Sequence, residues 1–167
     1  DLIDLKGRDF DAKRNFIKRF RAEHAFRYEP LAPARVSACL FFEEEWCLAK
    51  DCVRSEGLMR ERQALEEMLS HYEALRLQGG LIEVDGKIEA VTLGERLNPD
   101  TFVVHIEKAN GALIGIYQTI NQAFCSSSAA DFTYINREQD LGVPGLRQAK
   151  ESYHPCFMVK KYTLTKP

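Results

Sequence analysis

The strongest constraint on the fold is a β-hairpin signal near the middle of the 167-residue chain. Two runs rich in β-branched and aliphatic residues, 81–84 and 87–93, are separated only by Asp85-Gly86. Asp-Gly readily adopts the positive φ angles of a type I′ turn, which joins antiparallel strands. A further turn at Asn98-Pro99-Asp100 leads into a third such run, 101–107. The sequence therefore predicts three consecutive antiparallel strands.

The segments around these strands have apolar residues at helical spacing or in short alternating runs. Helices are predicted over about 9–25, from after Pro33 to about 50, from 58 to a stop at Gly79-Gly80, over about 114–125 and over 144–152. Short strands are predicted over 26–31, 132–136 and 156–163. This order is typical of an α/β (α+β) domain with a mixed central sheet flanked by helices.

Composition excludes several function classes. The 23 Lys and Arg residues nearly balance the 25 Asp and Glu residues, so the surface as a whole is not a nucleic-acid-binding face. The longest apolar runs are far shorter than the roughly 20 residues of a membrane-spanning helix, and no secretory signal is visible, so a cytoplasmic protein is predicted. No C-x-x-C pair occurs, so we expect no metal site and reduced, half-buried thiols at Cys39, Cys47, Cys52, Cys125 and Cys156.

Several motifs occur together over nearly the whole chain. They are Lys6-Gly7-Arg8 with Lys13-Arg14-Asn15, the run 101–109, Tyr117-Gln118-x-x-Asn121, and the stretch 134–153. In this combination they resemble the DUF2156 family, which is related to the C-terminal domain of bacterial phosphatidylglycerol lysyltransferases. The resemblance implies the GNAT-like acyl-CoA N-acyltransferase fold and acyl or aminoacyl transfer.

The resemblance also implies a domain organisation. Residues 1–167 are interpreted as a single GNAT-like domain, with 1–25 as a basic connector helix. Because the chain begins without Met, we expect it to be the C-terminal unit of a tandem GNAT protein, following another GNAT-like unit, or to form a homodimer. In this interpretation Phe16, Ile17 and Phe20 pack between units, whereas the basic side chains face a polar groove: Lys13, Arg14, Lys18 and Arg21.

A donor-binding site is predicted where residues 111–116 lead into a helix. The free N–H groups of a helix N-terminus favour a phosphate, and Gly115 would let a ligand approach the backbone. Only Gly111 and Gly115 stand near the turn where acetyltransferases usually have a glycine-rich pyrophosphate loop, and a plain strand-to-helix turn is the alternative. Tyr117 and Asn121 share a helix face, where they either orient the donor or tie the helix to the sheet.

Two candidate catalytic bases lie on the third strand. Alternation places Phe102, Val104 and Ile106 on one face and His105 and Glu107 on the other. Either His105 or Glu107 can take a proton from an attacking amine or hydroxyl. The alternatives are a hydrogen-bonded core histidine and a glutamate paired with a neighbouring cation.

The segment 136–153 supplies the remaining candidates. Arg147, Lys150 and Tyr153 recur along one side of a short helix, and Asn136 and Arg137 precede it. Asn136 and the arginines can contact a carboxylate or phosphate, Lys150 can stabilise an oxyanion, and Tyr153 can protonate a leaving group. A surface cluster of salt bridges is the alternative.

These observations support two function classes. The first is an acyltransferase domain with an amine or hydroxyl acceptor, small or lipid-linked, an acyl-CoA or aminoacyl-tRNA donor, and no tightly bound cofactor. The second is a non-catalytic GNAT-like binding or dimerisation module with a degenerate donor loop. A strand pair that splays over 101–107 and is open to the loop 111–115 would favour catalysis, whereas a cleft filled by Tyr117 or Phe124 would favour the module.

Overall fold

The computed structural model describes residues 1–162 and 164–166. Its helices are α1 (Asp11–Glu23), α2 (Val36–Lys50), α3 (Glu56–Ser70), α4 (Ile116–Ser128) and α5 (Pro144–Glu151). Its strands are β1 (Phe26–Pro30), β2 (Gln78–Val84), β3 (Lys87–Arg96), β4 (Thr101–Ala109) and β5 (Tyr134–Asn136). Within the described ranges no helix combines the length and apolar character needed to cross a membrane.

The strands form one mixed sheet in the order β1-β2-β3-β4-β5. Pairing is antiparallel from β1 to β4 and parallel between β4 and β5. At the β2–β3 turn, Asp85 and Gly86 have φ angles of 51° and 80°, the left-handed conformations of a type I′ turn. The predicted three-strand meander and the mixed α/β class are confirmed.

Helices cover both faces of the sheet. Residues of α2 and α3 pack on one face in a cluster that includes Cys39, Phe42, Leu65, Leu69, Leu81, Val91, Leu93 and Ile106. On the other face, α1 and α4 pack in a cluster that includes Phe20, Ile82, Ala90, Ile116 and Ile120. Ile17 and Phe20 are thus buried within this chain, whereas Phe16 is 42% exposed.

A β-bulge interrupts the predicted alternation of β4. Gly94 pairs with Val104 and Leu93 pairs with Ile106, which leaves His105 as the extra residue. Val104 packs beside α4, but Ile106 joins the cluster under α2 and α3. The prediction that Phe102, Val104 and Ile106 share one face is therefore wrong, because one inserted residue shifts the period-two pattern.

Two other predicted boundaries are wrong. Helix α3 ends at Ser70, and Gly79 and Gly80 lie inside β2 rather than stopping a helix. A Cβ atom at Gly79 would come within 2.9 Å of the Leu31 side chain, so close packing explains the glycine. Residues 156–162 of the predicted closing strand form no strand, because no neighbouring strand pairs with them, and Thr163 lies outside the described residues.

The predicted cysteine chemistry is also corrected. Cys47 and Cys52 form a disulfide, whereas Cys39 and Cys125 are buried free thiols and Cys156 is an exposed one. The pair meets because Asp51, with a φ angle of 51°, ends α2 in a left-handed turn that folds the chain back. Burial raises the pKa of both the Cys39 and the Cys125 thiol to about 12, so neither is a thiolate nucleophile at neutral pH.

We predict that Cys52→Ser lowers the free energy of unfolding by about 2 kcal/mol under oxidising conditions, because a short cross-link no longer restricts the unfolded chain. Urea denaturation with and without a reducing agent measures this difference. Cys156→Ser is the matched control and should leave stability unchanged, since Cys156 is free and exposed. Equal stability of Cys52→Ser and the parent chain before reduction would contradict the prediction.

Candidate active site

The strands β4 and β5 diverge where the predicted site residues meet. Their ladder pairs only three residues on each strand and ends at Val103 and Asn136. Beyond this point β4 continues to Ala109, while the chain after β5 turns away at Glu138, which has a φ angle of 54°. The Arg137 side chain spans the gap and contacts Glu107.

Glu107 is the centre of a hydrogen-bond cluster. Its two carboxylate oxygens accept from Asn121 Nδ2 at 2.7 Å and from Arg137 Nη2 at 3.1 Å. The Glu107 side chain is only 13% exposed. Each carboxylate oxygen has two lone pairs and accepts one hydrogen bond here, so each keeps a free acceptor site for a substrate proton.

Two polar atoms of the same cluster lack a partner among the described residues. Asn121 Oδ1 and Arg137 Nη1 are both buried and make no hydrogen bond. A buried polar atom without a partner costs about 1–3 kcal/mol, so such atoms call for an explanation. One free acceptor and one free donor beside a carboxylate suit a ligand that carries polar groups.

Tyr153 lies against two cations. Lys13 Nζ is 4.3 Å and Arg137 Cζ is 4.6 Å from the centroid of its ring. Burial raises the pKa of Tyr153, so its hydroxyl is protonated at neutral pH. This state fits the predicted role of proton donor to a leaving group.

Lys150 holds α5 against the loop that carries Arg137. Its Nζ donates to the backbone oxygens of Arg137 and Gln139, the latter at 2.7 Å. Burial and the nearby Arg137 charge lower the pKa of Lys150. The predicted role in oxyanion stabilisation stays a prediction.

His105 lies beside the cluster but has different partners. Its Nδ1 is 2.7 Å from Glu138 Oε1, and its Nε2 is 3.0 Å from Glu95 Oε1. The bulge separates the environments of His105 and Glu107, and the prediction that they share a face is wrong.

Two predicted contact residues stay outside the cluster. Asn136 Oδ1 accepts from the backbone N–H of Glu138 at 2.8 Å and shapes the turn after β5. Arg147 pairs with Asp140 at 2.5 Å, and its side chain is 57% exposed. The hydrogen bond from Arg147 lowers the pKa of Asp140 to about 2. For Arg147 the structure matches the salt-bridge alternative.

The two predicted donor-loop glycines differ. A Cβ atom at Gly115, whose φ angle is 93°, would lie 2.2 Å from the backbone oxygen of Phe16 in α1. Helix packing therefore accounts for this glycine. Gly111 is exposed, and its Cβ would meet nothing within 4 Å. Donor binding by this loop remains a prediction.

The predicted helix-face residues tie α4 to β4. The Tyr117 hydroxyl donates to the Ala109 oxygen at 3.1 Å, and Trp46 Nε1 donates to the same oxygen at 2.9 Å. Asn121 reaches Glu107 one turn further along α4. Phe124 packs on Phe102 with ring centroids 5.7 Å apart, so it belongs to the core.

Sequence reasoning missed a buried ion pair on the other side of β4. Lys108 Nζ donates to Glu43 Oε1 at 2.7 Å, lies 3.3 Å from Glu61 Oε1 and sits 4.3 Å from the Trp46 ring centroid. Burial raises the pKa of Glu43. A lysine inside an apolar central strand was the available signal. No sequence signal indicated that Lys13 points inward, because it lies in a run of basic residues.

A groove of about 630 Å³ lies elsewhere, between α2 and the β2–β3 hairpin. Arg35, Phe41 and Lys87 are among its lining residues, and none of the predicted site residues contributes to it. The described part of the chain also contains no group of three or more His, Cys, Asp or Glu side chains that could hold a metal ion.

Comparison with known sequences gives one family match. The family described as phosphatidylglycerol lysyltransferase, C-terminal, matches residues 1–165. No curated protein matches the chain.

Solved structures share the fold. A conserved protein of unknown function from Bacteroides thetaiotaomicron VPI-5482 is 46% identical, with a TM-score of 0.91 over 95% of this chain and 54% of that chain. The C-terminal domain (DUF2156) of an Agrobacterium fabrum protein named as a lysylphosphatidylglycerol synthetase is 14% identical, with a TM-score of 0.63 over 93% of this chain and 54% of that one. The ribosomal-protein-alanine N-acetyltransferase of Brucella melitensis biovar Abortus 2308 is 11% identical, with a TM-score of 0.60 over 86% of this chain and 100% of that one. The chain thus spans about half the length of the first two.

Proposed function

Because the chain belongs to the family of phosphatidylglycerol lysyltransferase C-terminal domains, we propose that it transfers an acyl or aminoacyl group to an amine or hydroxyl acceptor. The observation that carries the proposal is the cluster of Glu107, Asn121, Arg137 and Tyr153 where β4 and β5 diverge. It combines a carboxylate, unpaired polar atoms and a protonated phenol in one place. Such a set suits acyl transfer between two bound substrates without a covalent enzyme intermediate.

In the proposed reaction, the acceptor nitrogen or oxygen attacks the acyl carbonyl carbon and forms a C–N or C–O bond. The bond from that carbon to the donor's sulfur or ribose oxygen breaks, and the leaving atom takes a proton from Tyr153. Glu107 orients the acceptor and receives its proton. That proton then passes from Glu107 to the Tyr153 phenolate, which returns both groups to their starting states.

Two donors fit the family and the fold. An aminoacyl-tRNA donor is supported by the family description, and an acyl-CoA donor by the fold shared with an N-acetyltransferase. The acceptor is a small molecule or a lipid-linked group. A preceding GNAT-like unit and a cytoplasmic site of action are parts of the same proposal.

Glu107→Gln tests the role of the cluster. We expect it to lower the rate of transfer about 100-fold, because an amide cannot take up the acceptor's proton, while circular dichroism stays unchanged. The assay measures radiolabelled product from aminoacyl-tRNA and acyl-CoA donors, with phosphatidylglycerol vesicles and polyamines as acceptors.

Glu73→Gln is the matched control, since Glu73 is exposed on the turn after α3, and it should retain full activity. An unchanged rate in a folded Glu107→Gln variant would remove Glu107 from the mechanism. The absence of any transfer by the native polypeptide, with every donor and acceptor, would overturn the proposed function.

A further inference from the structure

Lys13 is a buried cation without an anionic partner. It is 9% exposed, and its Nζ contacts Ser152 Oγ at 2.5 Å and the ring of Tyr153. Among residues 1–162 and 164–166, no carboxylate oxygen lies within the ion-pair distance of 4.0 Å from Lys13 Nζ. Arg14 and Arg19 of the same helix, by contrast, have acidic partners. Burying a charge without a counter-charge costs free energy.

The surroundings of Tyr153 carry an excess of positive charge. Lys13, Arg137 and Lys150 lie there, and Glu107 pairs with Arg137. Glu138 and Asp140 also act on Lys150, but they contact His105 and Arg147 instead. Lys150 bonds to backbone oxygens instead. Burial lowers the pKa of both lysines, and the charge of Arg137 lowers each of them further. Two of the three positive charges thus have no paired carboxylate.

An independent observation comes from Arg137 itself. Its Nη2 is used by Glu107, but its Nη1 is buried without a hydrogen-bond partner among the described side chains and backbone. A guanidinium presents its donors in a planar fork that matches the oxygens of a phosphate or carboxylate. The free half of this fork therefore suits an oxyanion.

We infer that Lys13 and Arg137 form a binding site for a phosphate group, assembled on the ring of Tyr153 beside Glu107. A phosphate group has more oxygen acceptors than a carboxylate, so it can accept from Lys13 Nζ and from the free Arg137 Nη1 at once. Ser152 is a positioning residue: its hydroxyl donates to the Ala149 oxygen at 2.6 Å and accepts from Lys13. This site adds a phosphate-binding role to the proposed function. Only the identity of the substrate that carries the phosphate rests on that proposed function.

The test is a titration of the 15N-labelled 167-residue chain with inorganic phosphate, followed by NMR at constant ionic strength. We expect saturable shifts at the Ser152 and Tyr153 amides and at the Arg137 side chain, and weaker binding of acetate. Lys13→Gln and Arg137→Gln should each weaken phosphate binding about tenfold, because each removes a charge-assisted contact. Lys18→Gln, an exposed lysine of the same helix, is the matched control and should bind like the parent chain.

Unchanged phosphate affinity in Lys13→Gln, or acetate binding as tight as phosphate binding, would overturn the inference. Lys13→Arg, which keeps the charge, should retain binding and separates loss of the site from loss of folding. Competition by coenzyme A or by phosphatidylglycerol vesicles then distinguishes a donor phosphate from a lipid headgroup, and both results support a phosphate site. Phosphate binding without any transfer activity would leave this site in place and count against the proposed function alone.

Discussion

Lys108→Met is expected to lower the free energy of unfolding by about 3 to 5 kcal/mol at pH 8, because it leaves the buried Glu43 carboxylate without its cation. Both side chains are at most 2% exposed, so water cannot replace the lost partner. The Oε2 atom of Glu43 already lacks a hydrogen bond to any described residue. Urea denaturation followed by circular dichroism measures the loss.

The same variant should have a characteristic pH dependence. Burial already raises the pKa of Glu43, and removal of Lys108 raises it further. An acid with a raised pKa in the folded state favours the protonated form there, so its contribution to stability is full below the unfolded pKa. That contribution is lost as the pH rises through the folded pKa. Lys108→Met should therefore be less destabilised at pH 5 than at pH 8.

Two further variants serve as controls. The double change Glu43→Gln with Lys108→Met should recover part of the lost stability, because no charge remains buried. Lys87→Met removes an exposed ion pair with Glu45 and should change stability little. Equal effects of Lys108→Met and Lys87→Met would contradict the prediction.

Gly115→Ala is expected to destabilise the chain by about 3 kcal/mol, because two costs add at this position. The φ angle of 93° disfavours any residue with a Cβ atom, and that atom would lie 2.2 Å from the backbone oxygen of Phe16. Relief of the clash requires α1 to move away from α4, and Phe20 of α1 is fully buried. Thermal and urea denaturation measure the loss.

Gly111→Ala is the matched control in the same loop. Its Cβ would meet nothing within 4 Å, so its effect should stay within about 0.5 kcal/mol. Comparable stability of the two variants would show that α1 does not rest on Gly115. A destabilised Gly115→Ala variant would confirm that helix packing requires glycine at this position.

The sequence by itself determined the features that depend on neighbouring residues. The type I′ turn at Asp85-Gly86, the meander that follows it and the start of α5 at Pro144 result from local backbone preferences. The family motifs also pointed to Glu107, Asn121, Arg137 and Tyr153 as candidates for separate roles, and contacts in the structure link these four side chains.

Only the tertiary structure decided which side chains face each other. The bulge at His105 reverses the alternation of β4 and turns Glu107 toward α4 and Lys108 toward α2. Lys13 meets Ser152 across 139 positions of sequence, and Cys47 meets Cys52 because of one left-handed turn. Periodicity describes residues within one element, whereas these contacts depend on register and on how separate elements pack, which no local pattern encodes.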